Sequence, residues 1–364
     1  MIKRFFVLLM ALMFGFSSLP AYAGVEVGDN LSLFGDVRYR YEQDDRDHTT
    51  KEERDRHRIR ARIGAKYTVD ENWGLKIRLA TKAGSANSPH QTLGDGGSDS
   101  FGLDQAYISY KVADFNAIFG KAAAKYWATT EVVFDGDLQH EGIQLGYKAG
   151  PVGFHAGYFI ATEAGWTPDN PNDDEIYTTA QVVYGQGFGG LKLKAALGAV
   201  SIANEGDALQ AESHSTASAQ LKGGIWRVAV DYIQSDADEE ETAIVAQARI
   251  KATDWLGFRI YSYSVGAFAA PYDGMASQDN FPNPGGSGVS NFDGIRVQAD
   301  FKLASKVSLD IRYYDMEPKE KVTDNADGTY TIAGLTTKGA TYVEEDAILT
   351  DDRTRIQVNL NVKF

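Results

Sequence analysis

Apolar and polar residues alternate at every second position of this chain, in segments of roughly ten residues. The last segment shows the pattern most clearly. One face carries Ile356, Val358, Leu360, Val362 and Phe364, and the other carries Arg353, Arg355, Gln357, Asn359, Asn361 and Lys363. A period of two is typical of a β-strand, because successive side chains of a strand point to opposite faces. This segment is therefore predicted to be a strand with one apolar and one polar face.

The same period delimits sixteen predicted strands along the chain. They cover residues 31–43, 56–69, 74–83, 102–113, 116–123, 139–149, 152–163, 175–185, 190–202, 212–222, 225–235, 241–252, 256–267, 292–303, 305–316 and 353–364. Short connections, such as 114–115 and 150–151, alternate with long polar ones, such as 84–101 and 268–291. The pattern predicts an all-β fold, a transmembrane antiparallel up-and-down β-barrel with short periplasmic turns and long extracellular loops.

The first residues have the order of an export signal. Lys3 and Arg4 precede an apolar run over residues 5–16, and Ala21 and Ala23 then supply the small residues of a cleavage site. The apolar run is too short to cross a bilayer as a helix. We predict a signal peptide over residues 1–23 and one barrel domain over 24–364.

Composition agrees with an exported barrel and narrows the chemistry. The chain has no cysteine, which excludes disulfides, thiolate metal sites and thiol catalysis, and its net charge is −14. Its mean hydropathy is −0.32. That value is low for a helical membrane protein but compatible with a barrel, whose strands alternate apolar residues with polar lumen residues.

The signal, the alternating segments and the terminal strand ending in Phe364 together resemble the bacterial outer-membrane porins. The resemblance implies a sixteen-stranded diffusion porin, a water-filled channel for small hydrophilic solutes and ions in the outer membrane, assembled as a homotrimer. It also implies that the barrel-assembly machinery recognises Phe364 as an assembly signal. Carbohydrate-specific porins have eighteen strands, so sixteen and eighteen both remain open. Small outward residues in 195–199 and 243–248 are candidates for the trimer contact.

Basic residues concentrate on the face of the strands that is predicted to line the lumen. This predicted basic wall contains Arg38, Arg40, Arg56, Arg58, Arg60, Arg62, Arg78, Arg296, Arg312, Arg353 and Arg355. Arginine keeps its charge at any accessible pH, so such a wall attracts anions into the pore. The alternative is that these arginines pair with acidic loop residues or with lipid phosphates.

The connection over residues 124–138 is a candidate for a constriction loop folded into the barrel. It carries Tyr126, Trp127, Glu131, Asp135 and Asp137. Acids facing a basic wall would order water and sort solutes by size and charge. The alternative is an ordinary external loop.

Acidic runs lie in two of the outer loops. They contain Asp236, Asp238, Glu239, Glu240, Glu241, Glu344, Glu345, Asp346, Asp351 and Asp352. Divalent cations could bridge such carboxylates to anionic lipopolysaccharide, because hard cations bind carboxylate oxygens. We otherwise expect no cofactor and no metal site, since the six histidines are scattered and none lies at ligand spacing.

Other functions are less favoured by the sequence. Gly185, Gly187 and Gly190 have dinucleotide-binding spacing, but a strand pattern follows them where that motif requires a helix. We predict no enzyme and no nucleic-acid partner. Two alternatives to a general porin remain: a substrate-selective channel for phosphate, another anion or sugar, and a structural or adhesive barrel with a plugged lumen.

Overall fold

The computed structural model describes residues 25–47, 53–81, 89–94, 96, 100–163, 174–203, 213–270, 290–325, 329–332, 335–338 and 349–364. The predicted signal peptide lies outside the described residues, as do Glu344, Glu345 and Asp346. The described residues include no helix long and apolar enough to cross a membrane.

Sixteen strands form a closed antiparallel barrel, as the alternating segments predicted. They are β1 (Leu31–Arg46), β2 (Arg54–Thr68), β3 (Trp73–Thr81), β4 (Phe101–Val112), β5 (Phe115–Ala122), β6 (His140–Ala149), β7 (Val152–Thr162), β8 (Glu175–Phe188), β9 (Leu191–Ala203), β10 (Ser213–Gly223), β11 (Trp226–Ser235), β12 (Thr242–Lys251), β13 (Leu256–Val265), β14 (Phe292–Lys302), β15 (Val307–Pro318) and β16 (Arg353–Lys363). Each strand pairs with the next, and β16 pairs with β1, for example Asn359 with Arg40. This closure decides between sixteen and eighteen strands.

Shorter strands lie in two of the long connections between barrel strands. Gln91–Thr92 pairs with Arg58 and Ile59 of β2, at the part of β2 that extends beyond the shorter β3. In the connection between β15 and β16, Val322–Asp324, Thr329–Ile332 and Leu335–Lys338 form a separate three-stranded sheet.

The short connections are tight turns, and several contain a residue with positive φ. Gly150 has a φ of 58° between β6 and β7, and Gly189 has 55° between β8 and β9. Strand β8 continues to Phe188, three residues beyond its predicted end, so the turn lies at Gly189 and Gly190 rather than over 186–189. Strand β9 follows this turn directly, as the sequence pattern predicted.

Apolar side chains alternate outward along the barrel wall. Ile63, Ile77 and Leu197 are 50%, 54% and 68% exposed, and the neighbours of the first two, Arg62 and Arg78, point into the lumen. Large aromatic side chains cluster outside the short-turn end, including Tyr67, Trp73, Tyr147, Tyr184, Trp226 and Trp255. Such an apolar band with an aromatic rim is typical of a barrel wall in contact with lipid.

Candidate functional site

The connection between β5 and β6, residues 123–139, crosses the interior of the barrel; we call it the inward segment. Near its start, the Tyr126 hydroxyl hydrogen-bonds with that of Thr216 on β10. Near its end, Asp137 accepts hydrogen bonds from Arg60 and Arg62 on β2. In a ring of sixteen strands, β2 and β10 are eight strands apart. The inward segment therefore reaches opposite walls of the lumen.

Lumen-facing glutamines hold the backbone of the inward segment. The Gln181 side chain accepts a hydrogen bond from the Trp127 amide at 2.7 Å and donates one to the Trp127 carbonyl at 2.8 Å. Gln144 binds the Lys125 amide and the Ala123 carbonyl in the same way, at 2.6 and 3.1 Å. These contacts satisfy backbone groups that a strand partner would otherwise bind.

Asp231 of β11 forms the densest polar contact with the inward segment. Its carboxylate accepts hydrogen bonds from the amides and hydroxyls of both Thr129 and Thr130, at 2.6 to 3.1 Å. Asp231 is 1% exposed. The Thr129 carbonyl accepts a further hydrogen bond from Gln247 of β12 at 2.6 Å. The middle of the segment is therefore fixed to two neighbouring strands.

Apolar packing fixes the other side of the inward segment. Val132 and Val133 are buried, together with Leu138, in a cluster with lumen-facing residues of eight strands. That cluster includes Phe159, Tyr177, Val200, Ile202, Ile233, Val245, Tyr261, Tyr263, Val265, Phe292, Tyr314 and Met316. Side chains thus fill part of the lumen between the inward segment and the wall from β7 to β15.

A polar cavity of about 420 Å³ remains between the inward segment and the arginines of the wall. We call it the arginine cavity. Its lining comprises Arg38, Arg60, Arg62, Arg227, Arg259, Tyr261, Arg296 and Arg312 from the wall, and Ala128, Thr129, Thr130, Glu131, Gly136 and Asp137 from the inward segment. Seven guanidinium groups therefore face two carboxylates across this opening.

Two of these arginines, Arg227 on β11 and Arg259 on β13, are absent from the predicted basic wall. Their positions in the alternation of outward and inward residues could have identified them as lumen-facing. Arg227 lies between the outward Trp226 and Val228, and Arg259 lies between the outward Phe258 and Ile260. Arg249 of β12 is directly opposite both arginines in the strand register, so three neighbouring strands carry an arginine at one level.

Acidic groups neutralise part of the charge in the arginine cavity. Arg60 and Arg62 each bind both Asp137 and Asp36 of β1, at 2.7 to 2.9 Å. Asp300 of β14 accepts two hydrogen bonds from Arg259, at 2.6 and 3.0 Å. Of the predicted loop residues, Asp137 and Glu131 line the cavity. Asp135 instead accepts the Asp137 amide within the segment.

The other part of the predicted basic wall is an ion-pair network away from the cavity. Asp44 of β1 binds Arg353 at 2.5 Å and Arg355 at 2.8 Å, both from β16. Glu42 of β1 binds Arg56 and lies 3.8 Å from Arg40. Glu42 and Asp44 alternate inward with Arg38 and Arg40, so the sequence contained this signal. The part of the predicted basic wall formed by these arginines therefore also carries the carboxylates of Glu42 and Asp44.

Two further arginines of the predicted wall lie outside the arginine cavity. Arg78 of β3 pairs with Asp104 of β4. Arg58 donates a hydrogen bond to the His90 carbonyl at 3.1 Å, and so binds the connection that pairs with β2. Both side chains support the wall and do not face the opening.

The family described as "Putative porin" has a model that matches residues 45–164, which are 120 of the 364 residues. Curated protein sequences include no match to the chain. The barrel superimposes on OprB of Pseudomonas putida with a TM-score of 0.61 at 11% identity, covering 92% of this chain and 94% of that chain. OmpF of Salmonella typhi, solved with daunomycin, gives 0.55 at 13% identity, covering 94% and 100%. A mutant Rh. blastica porin gives 0.53 at 11%, covering 92% and 100%.

The chain has the porin fold. Within this fold, burial in the inward segment shifts the pKa values of Lys125 and Tyr126. Burial lowers the pKa of the Lys125 ammonium, since the charged form loses hydration. Burial also raises the pKa of the Tyr126 phenol to about 12, with the Thr216 hydrogen bond acting in the opposite direction. Tyr126 therefore stays neutral at the segment's anchor.

The last residue of this porin-fold barrel lies against the first strand. The Phe364 amide donates to the Gly35 carbonyl at 3.0 Å, and the Gly35 amide donates to the Phe364 carbonyl at 3.2 Å. A Cβ at Gly35 would lie 2.3 Å from the Phe364 ring, so glycine makes room for it. The role of Phe364 as an assembly signal stays a prediction.

Among the described residues, no group of three or more histidine, cysteine, aspartate or glutamate side chains is placed to hold a metal ion. Glu240, one of the predicted loop acids, pairs with Lys319 at 2.7 Å.

Proposed function

We propose that this chain forms a water-filled outer-membrane channel for the passive diffusion of small hydrophilic solutes and ions. The arginine cavity carries the proposal. Because the inward segment leaves a polar opening along the arginine wall, the barrel is constricted and not filled there. Charged and hydroxyl groups line this opening, and such a surface holds water.

The charges of the opening favour anions. Within the part of the chain that the structure describes, Arg227 and Arg296 have neutral hydrogen-bond partners, namely Gln220 and Gln247 for the first and Gln298 for the second. Arg296 also stacks on the Tyr261 ring, with 4.5 Å from its guanidinium carbon to the ring centroid. Unlike Arg60 and Arg62, neither arginine forms an ion pair with a carboxylate among the described residues, although Asp300 acts electrostatically on Arg227. An entering anion therefore meets these two charges only partly compensated.

Lipid contact and assembly belong to the same proposal. The outward apolar band supports insertion into the outer membrane, and we propose a homotrimer. Ala195 and Ala199 on β9 and Ala246 on β12 face outward, and such small side chains would let a second copy approach the wall closely. Ala243 belongs to the predicted contact segment 243–248, but its side chain is buried inside the barrel.

Divalent cations bound between the outer-loop acids and lipopolysaccharide are a further part of the proposal. The lipid phosphates would supply oxygen ligands in addition to the carboxylates of the loops. We expect chelation to lower the melting temperature of the barrel in lipopolysaccharide-containing membranes and to leave it unchanged in detergent. Equal melting with and without chelator in both media would contradict this.

Single-channel recording in planar bilayers under a salt gradient tests the channel. We expect stable current steps and a reversal potential on the anion-selective side. Replacing Arg60 and Arg62 with serine removes two cavity charges and should move the reversal potential toward cation selectivity. Arg54→Ser is the matched control, because Arg54 lies on the same strand, is exposed and does not line the cavity. A folded barrel without current steps would refute the channel.

A further inference from the structure

Two side chains in the wall of the arginine cavity already hold a carboxylate. Nη1 of Arg60 donates to both oxygens of Asp137, at 2.8 and 2.7 Å, and Nη1 of Arg62 donates to one of them at 2.9 Å. Hydrogen bonds from guanidinium to carboxylate combine strength with a defined geometry. Arg60 and Arg62 thus form a carboxylate-binding position, which we call the arginine fork, and a side chain of the protein itself occupies it.

A carboxylate of the barrel wall holds the arginine fork in place. Asp36 of β1 accepts a hydrogen bond from Nη2 of Arg60 at 2.9 Å and another from Nε of Arg62 at 2.8 Å. These two nitrogens differ from the two that bind Asp137. Asp36 also lies directly opposite Arg62 in the strand register, so all three residues belong to paired wall strands. The fork therefore keeps its geometry when Asp137 leaves it.

Asp137 belongs to the inward segment and lines the arginine cavity together with both residues of the fork. The backbone beside it has anchors of its own, since the Asp137 amide donates to Asp135 and Leu138 is buried in the apolar cluster. The Asp137 side chain can therefore rotate off the fork while the backbone stays in place. The adjoining opening of about 420 Å³ lies within the size range of small-molecule sites. It has room for this side chain and for a small solute.

We propose that the arginine fork binds the carboxylate of a small organic acid in the lumen, and that Asp137 is its built-in competitor. The carboxylate of the solute accepts the hydrogen bonds that Asp137 gives up, so the exchange preserves the charge-assisted contacts. Because Asp137 occupies the fork in the absence of solute, it lowers the apparent affinity and favours release. Passage of the solute rests on the proposed function, whereas binding to the fork does not.

Acetate binding to the folded protein in detergent tests the fork without requiring conduction. The measurement is the broadening of the carboxyl carbon-13 resonance of labelled acetate on titration at constant ionic strength. We expect Asp137→Asn to tighten acetate binding about tenfold, because a neutral amide competes weakly for two guanidinium groups. Arg60→Lys added to Asp137→Asn keeps the charge but lacks parallel donors, and should abolish this gain. A gain that survives the lysine would overturn the fork as the binding position.

Asp104→Asn is the matched control. Asp104 of β4 pairs with Arg78 of β3, so the change also removes one carboxylate from an arginine of the wall. Neither residue lines the arginine cavity. Acetate affinity should therefore stay nearly the same as in wild type. Equal tightening in Asp104→Asn and Asp137→Asn would show a general effect of lumen charge and would reject the proposed competitor.

Heat-modified migration on gels reports the folding of each variant. If Asp137→Asn does not fold, Arg60→Gln carries the test, because it keeps Asp137 and removes half of the fork. It should weaken acetate binding about tenfold, and unchanged affinity would overturn the site. Acetate binding with the expected pattern but without current steps would retain the fork and refute the channel. Current steps with equal affinity in Asp104→Asn and Asp137→Asn would retain the channel and refute the fork.

Discussion

Replacing Asp231 with alanine should release the middle of the inward segment. The carboxylate binds four donors, which are the amides and hydroxyls of Thr129 and Thr130. Both hydroxyls can turn toward water, but the two amides lose their acceptor. Hydrogen bonds to a charged group contribute about 1.5–3 kcal/mol each, and lumen water replaces part of this. We therefore expect the free energy that favours the docked over the detached segment to fall by about 3 kcal/mol.

A loss of that size changes the ratio of detached to docked segment by roughly 150-fold. The contacts of Gln181 and the burial of Val133 remain, so the barrel should still fold. In single-channel recordings, Asp231→Ala should give a noisier open level and a larger mean conductance, because the segment then moves within the opening. Asp231→Asn should lie between wild type and Asp231→Ala, since its amide oxygen still accepts hydrogen bonds.

Ser235→Ala is the control for this experiment. Ser235 lies on the lumen face of the same strand, and its hydrogen bonds are with Glu241 and Ala237, not with the inward segment. It should conduct as wild type does. If Asp231→Ala and Ser235→Ala show the same noise and conductance, the carboxylate does not position the segment and the reasoning fails.

Three further predictions concern stability, measured by loss of heat-modified migration or by urea unfolding. Tyr126 has a raised pKa, so its stabilising contribution is complete below pH 10 and is lost as pH rises through about 12. The Tyr126→Phe variant should therefore show a smaller fall in the free energy of unfolding between these two pH values. A fall as large as that of wild type would contradict the assignment. Gly142→Ala should lower the free energy of unfolding by about 3 kcal/mol or more, because φ of Gly142 is +153° and a Cβ would lie 2.0 Å from the Tyr158 carbonyl oxygen. Gly185→Ala, with open space around its Cβ, should cost little, and equal costs would refute the steric argument. Arg353→Met should lower the free energy of unfolding by about 3 kcal/mol, because Asp44 then has one arginine partner fewer in a buried network. A free energy of unfolding equal to that of wild type would show that lumen water replaces the ion pair.

The strands and the direction of their side chains could be read from the sequence. The alternation that places Ile77 outward and Arg78 inward is a local property, because the pleat of a strand sends neighbours to opposite faces. Even the short β5 was located within one residue of its observed ends. Glu42, Asp44, Arg227 and Arg259 could have been assigned to the lumen by the same rule. The alternation along each strand thus identifies more of the lumen-facing charged residues than the predicted basic wall included.

The sequence by itself determined the strands, their faces and the alternation of short and long connections, because these depend on residues a few positions apart. The partners across the lumen were decided only by the tertiary structure. Asp137 meets Arg60 from 77 positions away, and Asp231 binds Thr129 across 102 positions. No local pattern encodes these distances. They follow from the closure and register of the barrel, which decide which inward side chains share a level and where the inward segment crosses between them.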